Sequence, residues 1–278
     1  MSEPIPHIDL DAALGSIAET TPLINSVTNN VTVNDVANVT LHWGGLPVMS
    51  DDEREVADMV AAADGCLLNM GTVDEAGEAT MLTAGTAAND NGIPLVVDPV
   101  GIGATPTRTR VGTRLMDELD VTIVKGNHGE ISALAGEDSE VRGVESVGEY
   151  ADIAEAALSC ARRYDTVAVA SGETDVIADS NGVYELSAGD PMMGQVVGTG
   201  CMLGVTLATF AGGLGLERPL ESALSGTVAF GIAGELAATD GEYNGPASYK
   251  IAFLDAVAGM SSNPPESAAD RIERVLAA

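Results

Sequence analysis

Short apolar runs alternate with helical segments along most of this chain. Leu95-Val96-Val97 is a continuous apolar run, as expected of a strand buried on both faces of a parallel sheet, and residues 121–127 predict another buried strand. Residues 74–91 and 105–118 have helical patterns instead, and Gly92-Ile93-Pro94 ends the first of them. This alternation predicts an α/β fold, with a largely parallel central sheet and helices on both faces.

The pattern continues without a linker, a repeat or a shift of composition. We therefore predict a single domain over residues 1–278, which is long enough to bury a large core. The run Ser50-Asp51-Asp52-Glu53 predicts the start of a helix, and residues 173–186 predict a hairpin. Further helices are predicted at 8–20, 31–43, 150–163, 219–239, 249–260 and at the C-terminus, with loops at 138–149 and 263–265.

Acidic residues far outnumber basic ones. The chain has 42 Asp and Glu against 12 Lys and Arg, a formal net charge of -30, and its only lysines are Lys125 and Lys250. Nucleic acids and anionic membranes both bind basic surfaces, so this balance argues against either partner. Because 45% of the residues are hydrophobic, the acidic residues must coat a folded surface. Salt screens the repulsion on such a surface, so the composition predicts a salt-adapted protein.

Three widely spaced cysteines, Cys66, Cys160 and Cys201, form no CxxC pair. Their number and spacing favour neither a disulfide framework nor a zinc site. The first residues have neither the basic region nor the apolar run of a signal peptide, and Gly, Asp or Glu interrupts every long apolar stretch. We therefore expect a cytoplasmic protein.

A glycine-rich turn, Gly198-Thr199-Gly200-Cys201, leads from a β-like segment into an apolar helix. Such a turn leaves several backbone N–H groups unpaired at the positive end of the helix dipole, and its glycines let a phosphate approach the backbone closely. The turn therefore predicts an anion hole formed by these four residues. The alternative is a glycine-rich turn in which Cys201 packs as a small hydrophobe.

Met49, Asp98, Lys125 and Ser171 each stand at the end of a predicted strand. Because the carboxyl ends of parallel strands meet at one edge of a sheet, these residues and the glycine turn are predicted to share a ligand crevice. For Asp98 we favour a role in the crevice over helix capping. A methionine at a strand end is more often a core residue than a ligand contact, so Met49 has two interpretations.

Asn29 and Glu130 also have two interpretations each. Asn29 stands where a predicted strand passes into a helix, either as a cap or reaching toward a ligand. Asn127 and Glu130 are three residues apart at a helix start, so their side chains share a face near the crevice. Their oxygens suit Mg²⁺ held through water and phosphate, and the alternative is a capping box.

These residues supply a phosphate nest, a cation, carboxylates for a nucleotide with its metal ion, and an amide-lined apolar recess for an acceptor. Phosphoryl transfer depends mostly on alignment and charge neutralisation, so this inventory is sufficient for it. The chain has neither a GxxxxGK[ST] motif nor a GxGxxG motif with its acidic partner. A P-loop site and a Rossmann dinucleotide site are therefore disfavoured.

Eight motifs follow one another in an order and spacing that together are specific, although each alone is not. They are Asn25-Ser26-Val27-Thr28-Asn29, Pro47-Val48-Met49, Leu68-Asn69-Met70-Gly71-Thr72, Asp98-Pro99-Val100-Gly101-Ile102-Gly103-Ala104-Thr105, Gly126-Asn127-His128-Gly129-Glu130-Ile131, Gly172-Glu173-Thr174-Asp175, Gly198-Thr199-Gly200-Cys201 and Gly245-Pro246-Ala247-Ser248-Tyr249. On these motifs the chain resembles the hydroxyethylthiazole kinases of thiamine salvage, which have a ribokinase-like fold. The resemblance covers nearly the whole length of the chain.

The resemblance implies ATP-dependent phosphorylation of the primary alcohol of 4-methyl-5-(2-hydroxyethyl)thiazole, with Mg²⁺. It also implies a homotrimer with sites between subunits, in which Asn29 and Met49 serve a neighbour's site. By the family's pattern, Met49 and Gly198 contact the thiazole with Asn29 nearby, Lys125 and Ser171 bind ATP, Asp98 and Glu130 organise Mg²⁺, and Cys201 replaces the aspartate that deprotonates the acceptor in other ribokinase-like enzymes.

The sequence departs from the family pattern at three positions. Lys125 stands where arginine is common, and lysine lacks the bidentate fork that grips phosphate rigidly. Ser171 stands where threonine is common and keeps the hydroxyl. Val197 stands where threonine often precedes the turn, which removes a hydrogen bond and leaves the role of this position open.

The chemistry of Cys201 has two versions. A protonated thiol is a poor general base, but a helix N-terminus favours the thiolate. Alternatively, the turn stabilises the charge that develops on phosphate, and a specific base matters little. We expect Cys201 to lie at the acceptor hydroxyl and to contribute modestly.

Rival functions come from inside and outside the enzyme class. Within it, the candidates are another ribokinase-like kinase, such as a hydroxymethylpyrimidine kinase, and an ATP-dependent repair dehydratase of the same fold. Those relatives generally carry aspartate at the position of Cys201, which argues against them. Outside it, the candidate is a non-catalytic sensor of thiazole or nucleotide, and the presence of Asp98, Glu130 and the glycine turn argues against such a decayed site.

Overall fold

The computed structural model describes residues 8–136, 150–241, 243–260 and 268–277. The predicted loops at 138–149 and 263–265 lie outside these ranges. The helices are α1 (Leu10–Thr20), α2 (Val33–His42), α3 (Val56–Ala61), α4 (Glu75–Asn91), α5 (Pro106–Glu118), α6 (His128–Ala135), α7 (Tyr150–Tyr164), α8 (Thr199–Leu214), α9 (Pro219–Thr239) and α10 (Pro246–Met260). The strands are β1 (Leu23–Val27), β2 (Leu46–Val48), β3 (Gly65–Asn69), β4 (Leu95–Asp98), β5 (Ile123–Asn127), β6 (Val167–Ser171), β7 (Asp175–Asp179), β8 (Gly182–Leu186) and β9 (Ile272–Ala277).

These strands form one sheet in the order β2-β1-β3-β4-β5-β6-β7-β8-β9. The strands from β2 to β6 in that order are parallel, and β7, β8 and β9 pair antiparallel. The chain passes from β1 to β2 on one side and then to β3 on the other side of β1. Such a reversal is a topological switch point, and ligands of open α/β sheets bind beyond the carboxyl ends of the strands there.

Alternate residues of the central strands face two hydrophobic layers. In β3, Leu67 packs in a cluster with residues of α1, α2, α8, α9 and α10. The next residue, Leu68, packs in a second cluster with residues of α3, α4, α5, α6 and α7. The predicted α/β architecture, with helices on both faces of a largely parallel sheet, is therefore confirmed. None of the described helices combines the length and hydropathy needed to cross a membrane.

Close packing holds α8 against the sheet. A side chain at Gly65 would begin 2.8 Å from the carbonyl oxygen of Ala208, and one at Gly212 would begin 2.9 Å from a side chain of β1. Glycine at both positions therefore lets α8 lie directly on β1 and β3. From α2, Trp43 Nε1 donates a hydrogen bond to Thr206 Oγ1 at 2.9 Å. These contacts place the first turn of α8 at the carboxyl edge of the sheet.

Helix ends are predicted correctly where the capping residues are local. Asp74 accepts a hydrogen bond from Gly77 N at 2.8 Å at the start of α4, and Gly92, with φ 66°, ends that helix. Thr105 caps α5 in the same way, with Pro106 as the first helical residue. Each signal involves residues within one turn of each other, so tertiary structure is not needed to interpret it.

The C-terminal segment is a strand, so the prediction of a short helix there is wrong. Residues Ile272–Ala277 pair antiparallel with β8 at the edge of the sheet. The Glu, Arg, Leu and Ala residues of this segment favour a helix locally. Without it, however, β8 would expose a row of unpaired N–H and C=O groups. The pairing partner therefore outweighs the local preference.

Two other local predictions are wrong. The segment before the glycine turn is a short 3-10 helix, Pro191–Gln195, instead of β-like, because the side chain of Asp190 caps its first turn. Helix α3 begins at Val56 and not at the Ser50 run. Ser50 N donates to the Asn25 side chain at 3.3 Å, and Ser50 Oγ donates to the Glu55 side chain at 2.8 Å, so this stretch is held as a loop at the end of β2.

Candidate functional site

Asn29 and Asn69 meet at the switch point between β1 and β3. Asn29 Nδ2 donates to Asn69 Oδ1 at 2.9 Å and to Cys201 Sγ at 3.4 Å. Asn29 Oδ1 accepts hydrogen bonds from the amides of Val31 and Thr32. The capping interpretation of Asn29 therefore describes the structure, since its oxygen caps the chain entering α2, while its nitrogen faces the glycine turn.

A buried chain of polar side chains continues from Asn69 across β4 and β5. Asn69 Nδ2 donates to Asp98 Oδ2 at 2.6 Å, and Lys125 Nζ lies 3.4 Å from Asp98 Oδ1. A side chain at Gly200 would begin 3.0 Å from Lys125 Nζ. The structure thus brings the ends of β3, β4 and β5 together with the first turn of α8.

Burial and mutual attraction set the charges of this pair. Burial raises the pKa of Asp98 to about 6, against the opposing attraction of Lys125. Burial also disfavours the ammonium of Lys125, but the carboxylates of Asp98 and Glu130 outweigh it and hold the pKa of Lys125 above its ordinary value. A positive charge is therefore kept against the glycine turn, beside a carboxylate that takes up a proton more readily than an exposed one.

Glu130 forms the capping box that was one of its two predicted roles. Asn127 Oδ1 accepts from Glu130 N at 2.9 Å, and Glu130 Oε2 accepts from Asn127 N at 2.7 Å. Glu130 Oε1 accepts from Gly101 N at 2.6 Å, which ties the loop after β4 to the start of α6. Both oxygens therefore already hold backbone amides. In the described ranges no set of three or more His, Cys, Asp or Glu residues is placed to hold a metal ion.

The glycine turn is the entry to α8. Gly198 is the N-cap residue with φ 95°, a conformation that favours glycine. Thr199 Oγ1 donates to the carbonyls of Met193 at 2.9 Å and Val196 at 2.8 Å, which fastens the turn to the preceding 3-10 helix. Thr199 N lies 3.4 Å from the carbonyl oxygen of Val196. Of the first helical amides, those of Gly200 and Cys201 are therefore the better placed to receive an anion.

Cys201 differs from the other two cysteines. Cys66 and Cys160 are buried, whereas Cys201 is half-buried and accepts the hydrogen bond from Asn29 described above. Met49 is also half-buried and packs against the same hydrophobic cluster as Cys201. Val197, in contrast, is 77% exposed and packs against little. Cys201, in the first turn of α8, and Met49, directly after β2, thus both lie at the carboxyl edge of the sheet.

Ser171 ends β6 beside β5, and its Oγ donates to the carbonyl of Gly126 at 3.2 Å. The turn that follows is held from two sides. Asp175 Oδ1 accepts from Gly172 N at 3.0 Å, and a side chain at Gly172 would begin 2.6 Å from His128 Nε2. Burial raises the pKa of Asp175 to about 7. Ser171 thus lies opposite Asn127, at the carboxyl edge of the sheet and two residues beyond the level of Lys125.

Sequence reasoning does not single out two residues that hold this edge together. Asn69 links Asn29 to Asp98, and its place at a strand end, like that of Asp98, was the available signal. Arg108 donates to the carbonyls of Met70 at 2.8 Å, Val100 at 2.5 Å and Gly71 at 2.8 Å. Arg108 therefore joins the loops after β3 and β4, and no local pattern reveals that role.

Cavity size does not mark this edge. Cavities of about 600 and 620 Å³ lie along α5 and between α9 and α10. Neither contains the polar side chains described above. The convergence of buried polar groups with a helix N-terminus therefore identifies the candidate site, as expected for phosphate chemistry.

Comparisons with known proteins agree on one family. The model of the hydroxyethylthiazole kinase family matches residues 14–263. A hydroxyethylthiazole kinase of the halophilic archaeon Natronomonas pharaonis is 72% identical over 276 residues, covering 99% of each chain. The structure of a hydroxyethylthiazole kinase protein from Pyrococcus horikoshii OT3 has a TM-score of 0.84 and 32% identity, covering 96% of this chain and 99% of that one. A ribokinase-like superfamily protein from Enterococcus faecalis, 12% identical over 92% of this chain and 90% of that one, shares the fold with a TM-score of 0.57. The expected family and the ribokinase-like fold are thus confirmed.

Proposed function

This chain belongs to the hydroxyethylthiazole kinase family, and we propose that it transfers the γ-phosphoryl group of ATP to the primary alcohol of 4-methyl-5-(2-hydroxyethyl)thiazole. The observation that carries the proposal is the glycine turn, which opens α8 with the Lys125 ammonium directly against Gly200. Backbone amides and a buried cation at one point neutralise the charge that a migrating phosphoryl group carries.

The remaining residues divide into two sides of that turn. Lys125 and Ser171, at neighbouring strand ends, are assigned to the phosphates of ATP. Met49, Gly198 and Asn29 are assigned to the thiazole. The Asn29 to Cys201 hydrogen bond supports a place for the sulfur beside the acceptor hydroxyl, because it orients Sγ at the boundary between the two sides.

The proposal includes Mg²⁺, organised by Asp98 and Glu130. Both carboxylates are already hydrogen-bonded, to Asn69 and to backbone amides respectively. Such groups suit an ion that keeps most of its water and binds nucleotide phosphates, which is how Mg²⁺ is usually held. When bound, the ion would neutralise phosphate oxygens of ATP. The chain's own part is to keep the two carboxylates and Lys125 in fixed positions.

We also propose a homotrimer with sites between subunits. Exposed apolar side chains next to the site support an interface there, since Val31, before α2, is 68% exposed and Val197, before the glycine turn, is 77% exposed. A cytoplasmic location completes the proposal, because three free thiols suit a reducing compartment.

ATP consumption by the purified chain in molar salt tests the activity. We expect consumption to require both the thiazole alcohol and Mg²⁺, and mass spectrometry to find the phosphate ester as the product. Consumption with hydroxymethylpyrimidine instead would support the rival kinase, and binding without consumption would support the sensor. Light scattering on the same sample measures the assembly, and a monomer at assay concentration would contradict the trimer.

A further inference from the structure

Both lysines of this acidic chain lie at the glycine turn. Lys125 Nζ lies 3.0 Å from the point where a Gly200 side chain would begin. Lys250, in α10, lies at the other end, because its Nζ is 2.6 Å from Asp35 Oδ2 in the first turn of α2. That same Asp35 oxygen is 3.9 Å from the point where a Gly198 side chain would begin. No part of the proposed function uses Lys250.

Asp35 presents an electrostatic problem for an anion site. Its side chain is only 14% exposed, so water screens its negative charge incompletely. An unpaired carboxylate beside Gly198 would repel a phosphate that approaches the turn and would weaken the attraction of the α8 amides. The Lys250 ammonium, 32% exposed, cancels this charge at hydrogen-bonding distance.

Building on the proposed function, we propose that Lys250 is a positioning residue for phosphoryl transfer, which acts by neutralising Asp35 beside the Gly198 end of the turn. The ion pair joins α10 to α2. Thr32, just before α2, packs on Gly198, and Asp35 lies beside the same glycine. Removing the charge of Lys250 therefore changes the electrostatic potential at the turn, because Asp35 is left unpaired. If the ion pair served only to hold the two helices together, removing either partner would impair the enzyme. If Lys250 acts by neutralising Asp35, only a variant that keeps the Asp35 carboxylate without a cation is impaired.

Four variants separate these two roles: Lys250→Met, Lys250→Arg, Asp35→Asn and the double variant Asp35→Asn with Lys250→Met. At the lowest salt at which the wild type is folded, we expect Lys250→Met to weaken binding of a non-hydrolysable ATP analogue, and to lower kcat/KM for ATP, about fivefold. The other three are expected to stay within about twofold of the wild type. The Lys250→Met defect should shrink as salt rises, because salt screens the exposed side of Asp35.

Arg218→Met is the matched control. Arg218 forms an ion pair with Glu221 at the start of α9. The neighbouring residues Pro219 and Leu220 lie beside the amino ends of β5 and β6, at the edge of the sheet opposite the glycine turn. It should change neither binding nor kcat/KM. A double variant as impaired as Lys250→Met would overturn the proposal in favour of a clamp, and a Lys250→Met variant equal to the wild type would also overturn it. Analogue binding by calorimetry needs no acceptor. A wild type that binds the analogue but leaves the thiazole alcohol unphosphorylated would therefore overturn only the proposed function.

Discussion

Gly198→Ala tests whether the turn has to be built from glycine. Gly198 has φ 95°, and a methyl group there would begin 2.6 Å from Thr32 Cγ2. The left-handed backbone costs an L residue about 1–2 kcal/mol, and relief of the collision brings the loss in free energy of unfolding to roughly 2–3 kcal/mol. For a domain of this size, each kcal/mol lowers the melting temperature by about 2–4 °C, so we expect a decrease of roughly 4–12 °C.

Activity should decrease by more than stability explains. A displacement of the turn by about 1 Å misaligns the α8 amides with the phosphoryl group, and misplacement on that scale can cost about 100-fold in rate. The measurements are melting by circular dichroism in molar salt and kcat from coupled ATP consumption, made well below the melting temperature of the variant.

Gly194→Ala is the control, because Gly194 is in the preceding 3-10 helix with no atom within 4 Å of an added methyl group. It should behave as the wild type in both assays. Gly200→Ala adds a methyl 3.0 Å from Lys125 Nζ without a positive φ, so it should raise KM for ATP with little change in melting temperature. A Gly198→Ala variant with wild-type melting and kcat would refute the argument that this bend positions the phosphoryl group.

Three further predictions follow from the site. Cys201→Ala should bind the ATP analogue normally and reduce kcat by no more than about tenfold, as measured by coupled assay, and full turnover would remove the sulfur from the mechanism. Burial raises the pKa of Asp98 to about 6. As pH falls through that value, the carboxylate beside Lys125 is protonated, and kcat/KM should therefore decrease. A midpoint near pH 4 would contradict this assignment. Arg108→Met removes the donor to three loop carbonyls, and each such hydrogen bond is worth about 1.5–3 kcal/mol. The melting temperature and kcat should therefore decrease together. Arg218→Met, on the exposed surface, should change neither.

Two of the three corrected elements show where local information ends. Residues 272–277 have a helical composition, and only β8 makes them a strand. The Ser50 run resembles a helix start, yet Asn25 and Glu55 use its groups to fix a loop. In each case a residue outside the segment decides the structure: β8 for residues 272–277, and Asn25 in β1 for the Ser50 run. The pattern within one segment contains no information about such a partner.

The site divides in the same way. Asp98, Lys125 and the glycine turn could be predicted because strand ends of a parallel sheet meet at one edge, whatever the details of packing. Asn69 joins Asn29 to Asp98, and both oxygens of Glu130 accept hydrogen bonds from backbone amides. These contacts depend on side-chain distances, which the spacing of residues in the sequence does not determine.

By itself, the amino-acid sequence determined the alternation of buried strands and helices, the family, and the residues at the sheet edge, because periodicity, turn chemistry and motif order are properties of neighbouring residues. Only the tertiary structure decided which charges meet there. Lys250 is far along the chain from Asp35 and from Gly198, and their proximity exists only because α10, α2 and α8 pack around one turn.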